Sequence, residues 1–582
     1  MVKFYFSKTM LAFLLMFVTG SICSAKDIYV SATGNDGNDG ITAATAYATF
    51  EKALEEVSDY DRILVSGTIV VSDEVIVENK KGLIIEGVDK RTSAVDGAEA
   101  SRLFLLENSE VILWKLTLKN GFADDEGGGI KINGGTVTFA ECTFNNNKNS
   151  LGEWQKGGAI FAANTALTIY DCVFDSNKGF RGGALEILSS SLNCEYTTFR
   201  RNEAAFALGT DNQEARAGAF SAENPSSISF RYCTFDSNKA AAGGGAMFIG
   251  TSIEGTFYME NCAIVKNSAG NDGFDGRHGG ALFVANGGGA LTTTIINTTI
   301  AQNSCNGAGG ILFYDGGSQS TLNLINVTAT KNYTTSNAGN GGGFRLFDSP
   351  LKFNVYNSII EGNQSKDDES WNDLSIGANP NVVFKNSVVG NANINEVYDI
   401  DETSMINNSD PESPEIPNYS GITEDAPVKN TYQLQEGANG ITMGNAQFLQ
   451  ERNILKDQKD VDRDFSSGTC YLGAIELIVG EDVPNVVVPP FVPVGIISDF
   501  IDSITGVYYN SSSKCVVVNE LSPGNYTCDL YSMTGRKVTT VFKGEASVVS
   551  GQSFDVSNVS AGVYLLKVSG GGKFIAKPVI IR

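Results

Sequence analysis

The sequence predicts an all-β chain: a long parallel β-helix (solenoid) followed by a small C-terminal β-sandwich of immunoglobulin-like form. Two interleaved phrases that recur at a near-constant interval predict the solenoid, together with a period-two apolar pattern between them. A Val/Pro-rich break at Val487-Val488-Pro489-Pro490 separates it from a tail in which neither phrase occurs.

The first phrase is F-x-x-N. It runs Phe144 to Asn147, Phe174 to Asn177, Phe199 to Asn202 and Phe235 to Asn238. Ile264 to Asn267, Ile300 to Asn303, Ala329 to Asn332 and Ile360 to Asn363 continue it, roughly every 30 residues. The second is a glycine pair before apolar residues: Gly157-Gly158-Ala159, Gly182-Gly183-Ala184, Gly244-Gly245-Ala246 and Gly279-Gly280-Ala281. Gly309-Gly310-Ile311, Gly342-Gly343-Phe344 and Ala217-Gly218-Ala219 are variants. A unit of this length is one turn of a solenoid, whose apolar side is buried only by the next turn. A helical repeat is the rival, but Thr, Val, Ile and Phe dominate. The glycines allow positive φ and close stacking of turns. The repeating asparagine is expected at a left-handed bend, its amide bonded to the same amide one coil away.

Alternation assigns the faces. Two residues before each anchor lies an inward row: Cys142, Cys172, Thr197, Cys233, Cys262, Thr298, Val327 and Ser358, small enough for a core. Stacked coils are ~4.8 Å apart, which does not suit an unstrained disulfide, so these cysteines are expected as thiols. Of ten cysteines nine lie beyond Cys23, an odd number that argues against a full disulfide framework. A hairpin disulfide between Cys515 and Cys528 stays open.

Upstream, Ile28 to Ser31 reads as a first strand, Gly34 to Gly40 as a polar turn, and Thr49 to Val57 as an amphipathic helix covering the open end of the solenoid. Residues 1–25 have the pattern of a cleaved leader: Lys3 and Lys8, then the apolar run Met10 to Val18, too short to span a bilayer, then Cys23-Ser24-Ala25. Bulky Ile22 argues against a lipid anchor at Cys23. The expected organisation is a signal peptide at 1–25, the solenoid with its capping helix and closing segment at 26–477, a linker at 478–510, and a tail domain at 511–582. No later stretch is apolar enough to be a transmembrane segment.

The formal net charge of −24 argues against nucleic acid, whose phosphates would be repelled. It suits a solvated surface protein that can hold divalent cations. The single histidine, His278, excludes multi-histidine metal centres, and no nucleophile motif accompanies it as a protease base.

With these residues in view, the chain resembles the pectin-lyase-like superfamily of right-handed parallel β-helices. Tyr29-Val30-Ser31 with Gly34-Asn35-Asp36 and Asn38-Asp39-Gly40 is similar to a common start in that group. The paired phrases resemble the repeats of chlamydial polymorphic outer-membrane proteins, which implies adhesion. Tyr432-Gln433-Leu434, Gly437-Ala438-Asn439 and Leu472-Gly473-Ala474-Ile475-Glu476 resemble a closing segment of secreted β-helix proteins. The tail departs from the chlamydial pattern. Tyr531 to Val538, Ala561-Gly562-Val563-Tyr564 and Lys577-Pro578-Val579-Ile580 resemble the type IX secretion sorting domain of Bacteroidetes. That implies handling by the type IX machinery and delivery to the outer-membrane surface or outside the cell. The scaffold carries lyases, hydrolases and adhesins alike, so function rests on the site.

The row three residues before each anchor is expected to face outward: Glu141, Asp171, Tyr196, Tyr232, Asn261, Asn297, Asn326 and Asn357. Glu141 and Asp171 on adjacent coils would lie ~5 Å apart, which suits a retaining glycosidase pair or a shared cation, and calcium is the cofactor they suggest. Tyr196 and Tyr232 would stack on sugar rings. Asp315 and Asp348 form a second such pair, at a turn. Long loops leave one edge: Lys148 to Lys156 with Trp154, Glu203 to Arg216 with Asp211, and Ser268 to His278. Loops on one edge build a repeat protein's binding face, and Trp154 is expected beside the acid–tyrosine strip. Asn271 to Gly276, with Asp272 and Asp275, carries half a calcium-loop pattern. Arg181, Arg216 and Arg277 are the cations available to a ligand, or to a lyase as base. The favoured reading is a surface binding protein or adhesin for a glycan or host surface protein. A polysaccharide lyase or glycoside hydrolase on the same scaffold is the alternative.

Overall fold

A computed structural model describes residues 25–393 apart from 152–154, 207–213, 271–276, 317–318, 336–340, 348–350, 366–372 and 377–380. Beyond these it describes 399–400, 405–407, 419–420, 431–432, 444–452, most of 454–470, and the strands within 507–581. The expected leader, Trp154, Asp211, Asp272, Asp275 and Asp348 lie outside the described residues. The chain divides into two compact units, one of residues 28–56 and 63–495, the other of residues 1–27, 57–62 and 496–582.

The larger unit is a parallel solenoid. A typical coil has four strands: Ile160–Ala163, Ala166–Tyr170, Val173–Asp175 and Lys178–Gly179. The next coil repeats them in register, with Ile160 beside Leu185, Leu167 beside Leu192, Phe174 beside Phe199 and Lys178 beside Glu203. Between the strands stand residues with positive φ: Asn164, Asp171 and Ser176, with Gly157 leading into the first strand. Such bends turn an extended chain sharply without breaking the ladders.

The anchors fill the interior. Phe144, Phe174, Phe199 and Phe235 stack face to face at 4.4, 4.7 and 4.8 Å between centroids. The inward row is buried as expected, with Cys142, Cys172, Thr197, Cys233, Cys262 and Thr298 at most 1% exposed and the cysteines unbridged. It is more than filler. Cys142 Sγ donates to Ala140 O at 3.2 Å, and Cys172 Sγ accepts from the Cys142 N–H at 3.4 Å. Thr197 Oγ1 takes the Cys172 N–H in the same way, at 3.2 Å. The row thus supplies the acceptors that the bend denies to its own backbone.

The repeating asparagine forms the expected amide ladder. Asn177 Oδ1 accepts from both the backbone N and Nδ2 of Asn147 at 3.0 Å, and Asn202 does the same for Asn177. The ladder continues through Asn238, Asn267, Asn303 and Asn332 to Asn363, all fully buried. One detail differs from the sequence reading: the left-handed residue is the one before each asparagine, such as Asn146, Ser176, Arg201 and Lys266. The asparagine turns inward instead, because an amide alone offers two donors and an acceptor at that reach.

The first glycine of each pair has positive φ, and the second is packed against the next coil: a Cβ on Gly158 would lie 2.1 Å from Gly183 O. The coil read as Gly342-Gly343-Phe344 is offset by one. Its left-handed residue is Gly341, since Leu312 pairs with Phe344. At the N-terminal end, helix Phe50–Glu56 buries Phe50 against Phe104, with ring centroids 5.4 Å apart.

The smaller unit contains two antiparallel sheets. One joins Val507–Asn510, Cys515–Val518 and Gln552–Asp555; the other joins Lys537–Ala546, Gly524–Ser532, Gly562–Gly570 and Lys573–Ile581. Its first strand, Val507–Asn510, precedes the boundary expected at Ser511. Cys528 is a buried free thiol, and the strand that carries Cys515 lies in the other sheet.

Candidate functional site

The acid–tyrosine row occupies the corner between the second and third strands. In register it runs Lys115, Glu141, Asp171, Tyr196, Tyr232, Asn261, Asn297, Asn326, Asn357, and every one has φ between 46° and 55°. Asparagine tolerates this conformation well; bulky side chains rarely adopt it. The row therefore changes character along the solenoid, from Asn at the far coils to Lys, acid and aromatic at the near ones.

The two halves also differ in what covers them. The described residues of 444–470 return along the far half. Asn445 N donates to Asn357 Oδ1 at 2.9 Å, Asn297 Nδ2 donates to Lys456 O at 2.8 Å, and Arg463 Nη2 donates to Asn297 Oδ1 at 3.0 Å. Gln458, fully buried, donates to Cys262 O at 2.6 Å and accepts from Thr299 Oγ1 at 2.5 Å. Leu449, Ile454 and Cys470 pack on Ile296 and Ile325, with Phe448 stacked on Tyr356 at 4.5 Å. Sequence reasoning placed a closing segment at this end of the chain but not its path back over the asparagines.

The near half forms a strip. Glu141 and Asp171 are equivalent residues of adjacent coils, joined through the Glu141 N–H to Tyr170 O at 2.9 Å, and both are half-buried. Trp114 Nε1 donates to Glu141 Oε1 at 3.2 Å, and Lys115 Nζ lies 3.6 Å from the Trp114 ring centroid. Lys90 faces Asp171 at 3.6 Å. Burial, with the Glu141 charge adding to it, outweighs Lys90 and holds the Asp171 carboxyl above its ordinary pKa. Tyr196 and Tyr232 stack on each other at 4.9 Å and 2°, and Tyr170 meets Tyr196 edge-on at 5.4 Å. Tyr196 is only 5% exposed, so its ring belongs to the stack; Tyr232 and Trp114 are the half-exposed aromatics. Trp114, Tyr170 and Lys90 were missed from sequence. Trp114 and Tyr170 precede the row by one residue, and Lys90 comes from a loop of an earlier coil, outside the repeat phrases.

At the strip's far end Glu195 lies buried, Arg231 Nη1 stands 3.7 Å from it, and Arg231 Nε is 3.2 Å from Glu260. Burial raises the Glu195 carboxyl against the pull of Arg231.

Arg181 and Arg216 are elsewhere, at the corner between the fourth strand and the next coil's first, where the long loops leave. Gln155 and Lys156, which flank the Trp154 loop, are there too: Lys156 bridges Arg181 in parallel register. That corner is across the coil from the strip, so the loop edge and the strip are two faces and not one. Arg181, 3% exposed, pairs with fully buried Glu186 at 2.8 Å and with Glu223 at 2.7 Å. Lys156 joins Glu223 at 2.8 Å, and the two cations bring that carboxyl down to about 2 despite its burial. The Arg216 guanidinium lies 4.7 Å from the Phe248 ring centroid and 5.0 Å from that of Phe283. His278 stacks on Phe313 at 4.2 Å. The network locks loop bases to the sheet. Asp315 is exposed, and no group of three metal-ligating side chains occurs among the described residues.

The fold defines a parallel β-helix protein. Residues 35–264 match the family described as the right handed beta helix region, and residues 507–582 match the secretion system C-terminal sorting domain. The solenoid is thus right-handed, and the tail marks export by type IX secretion to the cell surface or extracellular space. No helix among the described residues is long and apolar enough to cross a membrane. No curated protein matches the chain. Among solved structures it is similar to the crystal structure of pectate lyase Pel9A, at 14% identity and TM-score 0.37 over 78% of this chain and 97% of that one. It is also similar to a rhamnogalacturonan lyase, at 11% identity and TM-score 0.29 over 62% and 87%. A third is the complex of XylC with xylose, at 9% identity and TM-score 0.36 over 78% and 98%.

Proposed function

We propose that this exported solenoid is a surface carbohydrate-binding protein, an adhesin that holds a glycan along the corner from Lys115 to Tyr232. One observation carries the reading. Where the described residues of 444–470 pack on the corner every rung is asparagine, and beyond them the rungs are Lys115, Glu141, Asp171, Tyr196 and Tyr232. Bulky residues in a left-handed conformation are costly, and such cost concentrates at functional positions. The four rungs from Glu141 to Tyr232 span ~14 Å along the axis, room for a few sugar units. Trp114 and Tyr232 supply stacking surface, and the carboxylates accept from sugar hydroxyls. The repeat phrases similar to those of chlamydial surface proteins favour adhesion to a glycan or host partner.

Glycoside hydrolysis is the second reading, favoured by the raised carboxyl of Asp171 one rung from Glu141. A lyase is less favoured, because Arg181 is held charged between Glu186 and Glu223 and has no part as a base. A glycan array beside a polysaccharide degradation screen on the secreted protein separates the readings. Binding predicts that Tyr232→Ala and Trp114→Ala each weaken the captured glycan by ~1 kcal/mol or more. Hydrolysis predicts that Glu141→Gln abolishes turnover and leaves binding largely intact. Unchanged binding in both aromatic variants, with no degradation by the parent, sinks the site in both forms.

A further inference from the structure

Two thiols touch inside the solenoid, beneath the corner that carries the tyrosine stack. Cys194 stands on the second strand Ser191–Glu195 and Cys233 on the inward row one coil later, both fully buried and both free. Cys233 Sγ lies 3.8 Å from Cys194 Sγ and 3.5 Å from Cys194 O. The two are not register partners. Cys194 pairs with Phe230, and the left-handed bend at Tyr232 then brings Cys233 across the inside of the corner. Other cysteine contacts run along the row: Cys142 and Cys233 each give a backbone N–H to the sulfur one coil on, Cys172 and Cys262, at 3.4 Å. Coil spacing argues against a disulfide between such row neighbours, but it does not bind a pair that meets diagonally.

The tail takes this chain through the periplasm, an oxidising compartment, with these thiols unpaired. Burial pushes both thiols up, so the folded solenoid holds almost no thiolate at this contact and shields both sulfurs. We propose that Cys194 and Cys233 form a redox lock, inert while the coils are closed and joined as a disulfide once they open beside a disulfide donor. The donor is a periplasmic dithiol oxidase in its disulfide form, or a small disulfide such as that of glutathione. One thiolate attacks the donor, giving a mixed disulfide and one donor thiol; the second attacks the protein-side sulfur and releases the other donor thiol. The two cysteines are oxidised, the donor disulfide is reduced by the same two electrons, and the two protons leave on the donor thiols. The bond links residues 39 positions apart, fastening the coil that carries Tyr196 to the one that carries Tyr232. It draws the sulfurs from 3.8 Å to about 2 Å, directly beneath the tyrosine stack. The lock rests on the thiol contact and on export, and not on the glycan reading.

The test uses the full secreted chain, fully reduced, with glutathione disulfide as the donor. In buffer the folded protein should stay unreacted. Opened at its urea midpoint and refolded with the same donor, it should lose about 2 Da, and peptide mapping should join Cys194 to Cys233. The oxidised form should then unfold at higher urea than the reduced one, and a reductant added in urea should reverse the gain. Cys233→Ser should keep its mass under the same treatment; the map of the parent needs no variant, so a variant that does not fold leaves the test intact. A bond joining Cys142 to Cys172 or Cys233 to Cys262, or no bond at all, would overturn the inference. So would oxidation of the folded protein as fast as the opened one, or a lower urea midpoint once the bond has formed.

Discussion

Asp373 Oδ1 accepts both hydrogens that Asn363 would offer to a further asparagine, from its backbone N at 2.8 Å and from Nδ2 at 2.7 Å. A fully buried carboxylate therefore ends the amide ladder. Glu361, 3% exposed, reaches the same space: a Cβ on Gly390 would lie 2.1 Å from Asp373 Oδ2 and 3.2 Å from Glu361 Cγ. Burial, with the charge of Asp373, pushes the Glu361 carboxyl up to about 8.

The folded state thus keeps a proton on Glu361 that the unfolded chain loses above its ordinary value of 4.5. Its contribution is fully present below that value and is lost as pH rises through about 8. Glu361→Gln should remove this part of the slope. Thermal melts across that range should show the parent losing more stability than the variant toward alkaline pH. Parallel curves would mean that the carboxyl is not buried beside Asp373.

Substitutions at Cys172 test the inward row. Cys172→Thr should be nearly neutral, because Thr197 does the same work one coil on. Cys172→Ala should cost about 1 kcal/mol, since the Cys142 N–H loses its acceptor. Cys172→Arg should cost several kcal/mol by burying an unpaired charge. Urea titration ranks the three, and a mild arginine variant would contradict the assignment of faces.

The returning segment should be separable from the solenoid beneath it. Gln458→Ala removes the bonds to Cys262 O and Thr299 Oγ1, at a cost of about 1–3 kcal/mol. Limited proteolysis should then cut within residues 454–470 faster than in the parent, while far-ultraviolet dichroism of the solenoid stays the same. Unaltered cleavage would show that apolar packing of Leu449 and Ile454 suffices to hold the segment.

Export gives a fourth test. Removal of residues 507–582, which match the sorting domain, should leave the protein in the periplasm. Protease treatment of intact cells reads this directly: surface cleavage of the truncated protein would contradict the role of the tail.

Much of this molecule is legible without coordinates because its contacts are local in the repeat. Phe144 stacks on Phe174 and Asn147 bonds Asn177 since each coil presents the same residue at the same angle. Period and alternation therefore identified the solenoid, the inward cysteine row, the amide ladder and the adjacency of Glu141 to Asp171. The tertiary structure decided what periodicity does not encode. It put Arg181 and the base of the Trp154 loop across the coil from the strip, because four bends separate the strands of one turn and sequence distance does not count corners. It also laid Gln458 and Arg463 over Thr299 and Asn297, a contact between distant parts of the chain that depends on where a non-repeating segment finds open donors and apolar surface. The same contact sets the asparagine half of the corner apart from Glu141 to Tyr232, which is a property of the folded chain alone.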